Sequence, residues 1–238
     1  MSNPFKKPAR TLTDWQALST PDDSTVCFAT IKKESERYWS AKTIDYDVWG
    51  YQIQQNSKWR EGLTDADIAE FENEMGFNFP QSLKNYYKSM NGLTMPAINV
   101  AGDRNIIPEY LPNLYSYPDN LNEIKETISW IYDSNNITEE KIKSKSISRI
   151  FPVYGHRFML IDIPGNPILS MYGNDIIYWS DNLSRCLIID IFENIRSPNS
   201  IMGEERPQYL SGLINKRCIP ISRNTNTFRF SLLTFDLK

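Results

Sequence analysis

One histidine and three cysteines in 238 residues leave little material for residue-based catalysis. His156, Cys27, Cys186 and Cys218 provide no short ligand spacing of the kind a zinc site uses. The cysteines are also too few and too scattered for a disulfide framework, which favours a reducing, cytoplasmic setting. Glycine is scarce at 10 residues, and neither a G-x-G-x-x-G fingerprint nor a P-loop lysine motif occurs. No apolar run is long enough to cross a bilayer, and Met1 to Arg10 contains no apolar core of a secretory signal. A formal net charge of −3 and a pI near 5.4 speak against broad affinity for nucleic acid. These absences lead to the expectation of a cytoplasmic protein with no cofactor, no metal, no membrane span and no direct nucleic-acid contact.

What is present is an ordinary globular composition, 40% hydrophobic and 13% aromatic. Val26 to Ile31 reads as a strand, Leu12 to Leu18 as a helical turn and Glu34 to Trp39 as a short helix. Thr64 is a plausible N-cap with Asp67 at the capping-box position, and Ile68, Phe71 and Met75 follow as one apolar stripe. Gly76 suits a left-handed C′ position. Pro80 then opens a second helix carrying Leu83, Tyr86, Tyr87 and Met90, which Asn91-Gly92 stops. These two helices form an αα-hairpin. Prolines at 96, 108, 112 and 118 suggest a long loop with a strand near Ile98 to Val100. A third helix fits Leu121 to Tyr132, followed by a lysine-rich segment capped by Thr138.

The strongest sheet signal lies further on. Phe151 to Val153, Arg157 to Ile163, Ile168 to Tyr172 and Ile176 to Trp179 are short apolar runs separated by compact turns, so consecutive antiparallel pairing is expected. Both faces of Arg157 to Ile163 are apolar, with Phe158 and Leu160 on one and Met159 and Ile161 on the other, so this strand should be covered twice. Asn182 to Ile195 reads as an amphipathic helix, and Phe228 to Phe235 as an additional strand. The class is α+β, an antiparallel meander packed with the αα-hairpin and further helices.

Individual reactive side chains favour structural roles. Ser170 lacks the glycine-flanked nucleophile elbow. Cys186 falls on the apolar side of its helix, where cysteine behaves as a small hydrophobe, and so makes a weak nucleophile partner for His156. Asp162, Asp175 and Glu193 lie around the meander, and Asp175 beside a Gly-Asn turn suits backbone hydrogen bonding better than proton transfer. No catalytic residue is assigned. The charge pattern says more: Glu61, Asp65, Asp67, Glu70, Glu72 and Glu74 occur before Leu83 with no lysine or arginine among them. That run is either a solvated helix face or a surface that steers a basic partner. The candidate partner-binding residues are Asp67, Glu70 and Glu74, with Tyr110, Tyr115 and Tyr117 as aromatic anchors.

The ordered set of Leu63-Thr64 through Glu72, Gly76, Pro80, Tyr86 and Asn91-Gly92 resembles the opening pattern of the SMI1/KNR4 (SUKH) superfamily. Phe151 to Arg157, then Leu169 to Ile177, then Asp181-Asn182-Leu183 are similar to that family's later strands, tight turn and helix. Trp49-Gly50 to Trp59 is like the lead-in of bacterial members. The likeness runs from about 45 to about 195, leaving an N-terminal extension (1–44) and a C-terminal extension (196–238) that complete the core, enter an interface or mediate self-association. The resemblance implies a non-enzymatic protein that neutralises a cognate bacterial toxin, a nuclease or deaminase, by covering its active site. The alternative it implies is an adaptor of the kind that regulates cell-wall synthesis.

Overall fold

A computed structural model describes residues 21–144 and 147–193. The expected turn at Leu12 to Leu18 and strand at Phe228 to Phe235 lie outside them. Seven strands and six α-helices are present among the described residues.

The first helix corrects the sequence reading. Val26 to Ile31 is not a strand; it belongs to α1 (Thr25–Ala41), whose Ser24 side chain accepts from the Cys27 amide at 3.2 Å. A six-residue apolar window fits either period, whereas the longer spacing Phe28, Ile31, Ser35, Trp39 marks one buried helical face. That face packs on α3 (Gln81–Ser89), with Phe28 edge-on to Tyr86 and Trp39 beside Trp59. The Trp59 indole donates to the Ser35 hydroxyl at 2.7 Å. For residues 25–41, the role left open for the N-terminal arm is therefore completion of the core.

The αα-hairpin forms as its local signals predict. Thr64 and Asp67 make a reciprocal capping box on α2 (Asp65–Met75), and Gly76 takes the left-handed conformation at φ 73°. Pro80 serves as the N-cap of α3, one position before the expected one. Phe71 is the centre of the packing: its ring stacks on Tyr117 at 4.3 Å and meets Phe79, Tyr87 and Phe151 edge-on.

Two antiparallel sheets follow. The smaller has the order β1 (Trp49–Gln52), β2 (Ala97–Ala101), β3 (Glu109–Leu111), with Tyr51 opposite Asn99 and Asn99 opposite Glu109. Of these, only β2 is anticipated by the sequence. The larger is the expected meander of β4 (Ile150–Tyr154), β5 (Arg157–Leu160), β6 (Ile168–Tyr172) and β7 (Asp175–Ser180). Strand β5 ends at Leu160 rather than Ile163, because the Asn166 amide donates to the carbonyls of Leu160, Ile161 and Ile163 and folds that stretch into a turn. It is covered twice, as its composition predicts. Phe158 and Leu160 lie with Ile131 beneath α4 (Leu121–Ser134), while Met159 and Ile161 join the main core with Phe71 and Phe28. Thr138 caps the short α5 (Glu139–Lys143). The last helix begins on an Asn182 cap as α6 (Leu183–Ile188) and passes into a π-helical turn at Ile189–Glu193.

Candidate functional site

Tertiary contacts neutralise much of the acidic run on α2. Asp67 Oδ2 accepts from the Thr64 amide at 2.9 Å and hydroxyl at 2.6 Å, and these bonds hold its pKa below the usual carboxylate value. Glu72 takes Lys84 at 2.8 Å and also receives the Phe79 amide. Lys88 reaches Asp65 at 2.5 Å and Lys125 reaches Glu74 at 3.2 Å. Glu70 has no ion pair among the described residues and lies beside the Tyr117 hydroxyl, whose pKa is raised by burial and by that carboxylate. The three lysines come from α3 and α4, outside the window in which the sequence shows only acids.

The three tyrosines separate. Tyr110 is 56% exposed on β3. Tyr115 and Tyr117 are buried and are not surface anchors in this fold; this corrects the expectation drawn from a proline-rich loop. Tyr117 is taken up by the Phe71 stack, and Tyr115 lies close to Thr127 of α4.

A different aromatic surface emerges on the small sheet. Trp49 is 77% exposed, and Tyr51, two residues on, shares its face of β1. The Trp49 indole lies over Gly102, where a Cβ would come within 2.4 Å of the ring. Tyr51 is close enough to Glu109 and Tyr172 for both to raise its pKa, after burial as the main cause. Tyr172 is itself exposed and meets Trp130 edge-on at 5.2 Å. Trp49 and Tyr51 on β1, Glu109 on β3, Trp130 on α4 and Tyr172 on β6 come from four elements, so no local periodicity marks this surface.

Beneath β1 lies a pocket of about 220 Å³ between the two sheets, lined in part by Trp49, Gln52, Asn113, His156, Arg157 and Asp190. Arg157 is its structural pivot. Its Nε and Nη2 reach the two Asp190 oxygens at 3.3 Å, and Nη1 donates to Ser170 Oγ at 2.5 Å. The guanidinium lies 3.4 Å from the Trp179 ring, and the Trp179 indole donates to Asp190 at 2.9 Å. Burial pushes the Asp190 carboxyl upward and Arg157 opposes it. His156 Nε2 faces Arg157 Nη1 at 2.5 Å, so Nε2 is the acceptor and Nδ1 carries the proton. Burial and the adjacent guanidinium lower His156 to about 4. Lys42, at the end of α1, is lowered to about 8 by burial.

His156 and Cys186 do not form a thiol–imidazole pair. The Cys186 thiol is fully buried, its pKa raised well above the usual value by burial, and it donates to Asp190 at 3.4 Å instead of pairing with His156. Asp162 is engaged with Arg149. Among the described residues, no three metal-ligating side chains converge, and no helix is long and apolar enough to cross a membrane. An open groove beside α1, about 850 Å³, is edged by Lys32, Lys33, Arg37, Lys58 and Lys88. Most of these cations are engaged: Lys32 with the Ser89 carbonyl, Arg37 with Glu34, Lys58 with Glu36 and Lys88 with Asp65.

A search of curated proteins and a search of solved structures found no match. The profile of the SMI1 / KNR4 family (SUKH-1) matches residues 62–232. That span starts at the Gly62-Leu63-Thr64 opening of the αα-hairpin and takes in the whole meander, and the observed α+β architecture agrees with it. The chain belongs to the SMI1/KNR4 family (SUKH-1).

Proposed function

We propose that this protein is an immunity protein that binds a cognate protein toxin, a nuclease or deaminase, and neutralises it by covering its active cleft, with no turnover of its own. The observation that carries this reading is the exposed aromatic surface of the small sheet in a member of this family. Trp49 and Tyr51 are exposed on one face of the sheet, where Glu109 lies across from Tyr51 in register, whereas Tyr110, opposite the buried Ile98, lies on the other face. Tryptophan and tyrosine bury large area at low entropic cost and dominate binding energy at protein interfaces. The Glu109 and Glu70 carboxylates add negative potential that would steer a basic cleft into place. Because Asp65, Glu72 and Glu74 each have a lysine partner, the aromatic sheet face is assigned the larger share of the affinity and Glu70 a contribution to association rate.

The test is co-expression with the protein encoded immediately upstream, followed by capture of the complex. Rescue from growth arrest together with a stoichiometric complex is the expected result. If the neighbour is harmless, or is toxic and unrelieved, the immunity role is lost and an adaptor role takes its place. Reversing charge at Glu70 and Glu74 should slow association at low salt while leaving the fold intact. Unchanged kinetics would remove helix α2 from the interface.

A further inference from the structure

The rings of Trp130 and Tyr172 stand as two walls of an open corner. Their centroids are 5.2 Å apart and their planes cross at 78°. Both side chains are exposed, Trp130 near the end of α4 and Tyr172 at the end of β6. Asn135, just past α4, braces the corner: its side-chain amide donates to the carbonyls of Ile131 and Gly173 and so ties the helix end to the turn between β6 and β7. Tyr51 lies near Tyr172, so the corner adjoins the aromatic face of the small sheet.

Carboxylates surround these rings. Asp175 is the cross-strand neighbour of Tyr172 and shares its face of the meander. Glu126 lies one turn before Trp130 on the same side of α4. Glu109 shares the face of Tyr51, in register with it through Asn99. All three carboxylates are exposed, and none has an ion pair among the described residues. Two cations that neighbour this surface in sequence are engaged elsewhere, Lys125 with Glu74 and Arg104 with Asp47. The surface is therefore electronegative twice over, through its ring faces and through its formal charge. An apolar partner would desolvate these carboxylates with no counter-charge. A second copy, meeting the same patch across a two-fold axis, would bring like charges together.

We propose that this corner receives an arginine side chain of a protein partner, with the guanidinium in the angle between the Trp130 and Tyr172 rings and with Asp175 and Glu126 as its counter-charges. A guanidinium is planar, stacks on aromatic faces and is weakly hydrated, so it suits the corner better than a compact ammonium. As a statement of what the toxin presents, this rests on the immunity reading. The site itself can be tested without a toxin.

The experiment uses the full chain with 15N-labelled tryptophan and three capped peptides: acetyl-Gly-Arg-Gly-amide, its lysine counterpart, and its citrulline counterpart, which keeps the shape of arginine without the charge. The chain has six tryptophans, and the spectrum of Trp130→Phe assigns the Trp130 indole resonance. The arginine peptide should shift that resonance saturably, with a Kd on the order of 1–10 mM for a single side chain. The lysine peptide should bind about threefold more weakly and the citrulline peptide about tenfold more weakly. Tyr172→Ser, at an exposed position, should raise the Kd of the arginine peptide about fivefold. Asp175→Asn should raise it as well and flatten its dependence on salt. Absence of a saturable shift, equal binding of the citrulline peptide, or an unchanged Kd in folded Tyr172→Ser would overturn the assignment. Equal binding of the lysine peptide would overturn the stacked guanidinium. A Trp130 shift caused by protein concentration alone would give the corner to a second copy and overturn the proposal too. A harmless upstream neighbour would remove the immunity role and leave the peptide result unchanged, so the two failures are separable.

Discussion

Asn91 grips Tyr117 with both ends of its side-chain amide. Nδ2 donates to the Tyr117 carbonyl at 2.7 Å and Oδ1 accepts from the Tyr117 amide at 2.8 Å, and both residues are buried. The residue that stops α3 thus fixes a loop 26 positions away, and places the Tyr117 ring on Phe71. Asn91→Leu keeps similar volume and leaves two buried backbone groups unpaired. The expected loss is about 2–4 kcal/mol of unfolding free energy, measured by urea denaturation. A loss below about 1 kcal/mol would show that the clamp is dispensable.

The Arg157–Asp190 pair should behave as a buried ion pair. Asp190→Leu leaves the guanidinium buried against Trp179 without its carboxylate, and should cost about 3–5 kcal/mol. The double replacement Arg157→Met with Asp190→Leu removes both charges and should recover much of that loss. A double-mutant cycle in denaturant reads the coupling, and additive single losses would refute it.

Protonation of His156 should oppose folding. Its folded pKa is lowered from 6.5 to about 4, so between those values the unfolded chain binds more protons. The stability linked to neutral His156 is therefore complete above about 6.5 and is lost as pH falls toward 4. An NMR titration of the one histidine in the sequence should give a midpoint near 4. A midpoint near 6.5 would mean that the ring is neither buried nor faced by Arg157 in solution.

Trp49→Ala should leave the unfolding midpoint almost unchanged, since the side chain is 77% exposed. It should weaken capture of the protein partner by about 2 kcal/mol, roughly 30-fold. Surface plasmon resonance on the wild type and variant separates the two effects. Equal affinities would exclude the small sheet as the interface centre.

The legible parts of the fold are those with short-range causes. Thr64, Asp67 and Gly76 bound α2 through hydrogen bonds and backbone conformation within their own turns, so four or five adjacent residues announce the helix. The meander is legible because compact turns separate strands whose neighbours in sequence are also neighbours in space. Helix α1 is misread because Val26 to Ile31 fits two periods, and its burial depends on Tyr86 and Trp59, far along the chain. The candidate site is less legible still. Acidity on α2 is visible, but the lysines that pair with it are not, and a tyrosine in a proline-rich loop carries no sign of whether Phe71 will cover it.

Composition and local pattern alone determined the α+β class, the αα-hairpin with its caps, the four-stranded meander and the family likeness. Their energies arise between residues a few positions apart, where spacing is information enough. Tertiary structure decided that α1 enters the core, that Tyr115 and Tyr117 are interior while Trp49 is not, and that Trp130 meets Tyr172. Those outcomes depend on which distant surfaces exclude water from one another, and burial and electrostatic environment follow from that packing rather than from the identity of any one residue.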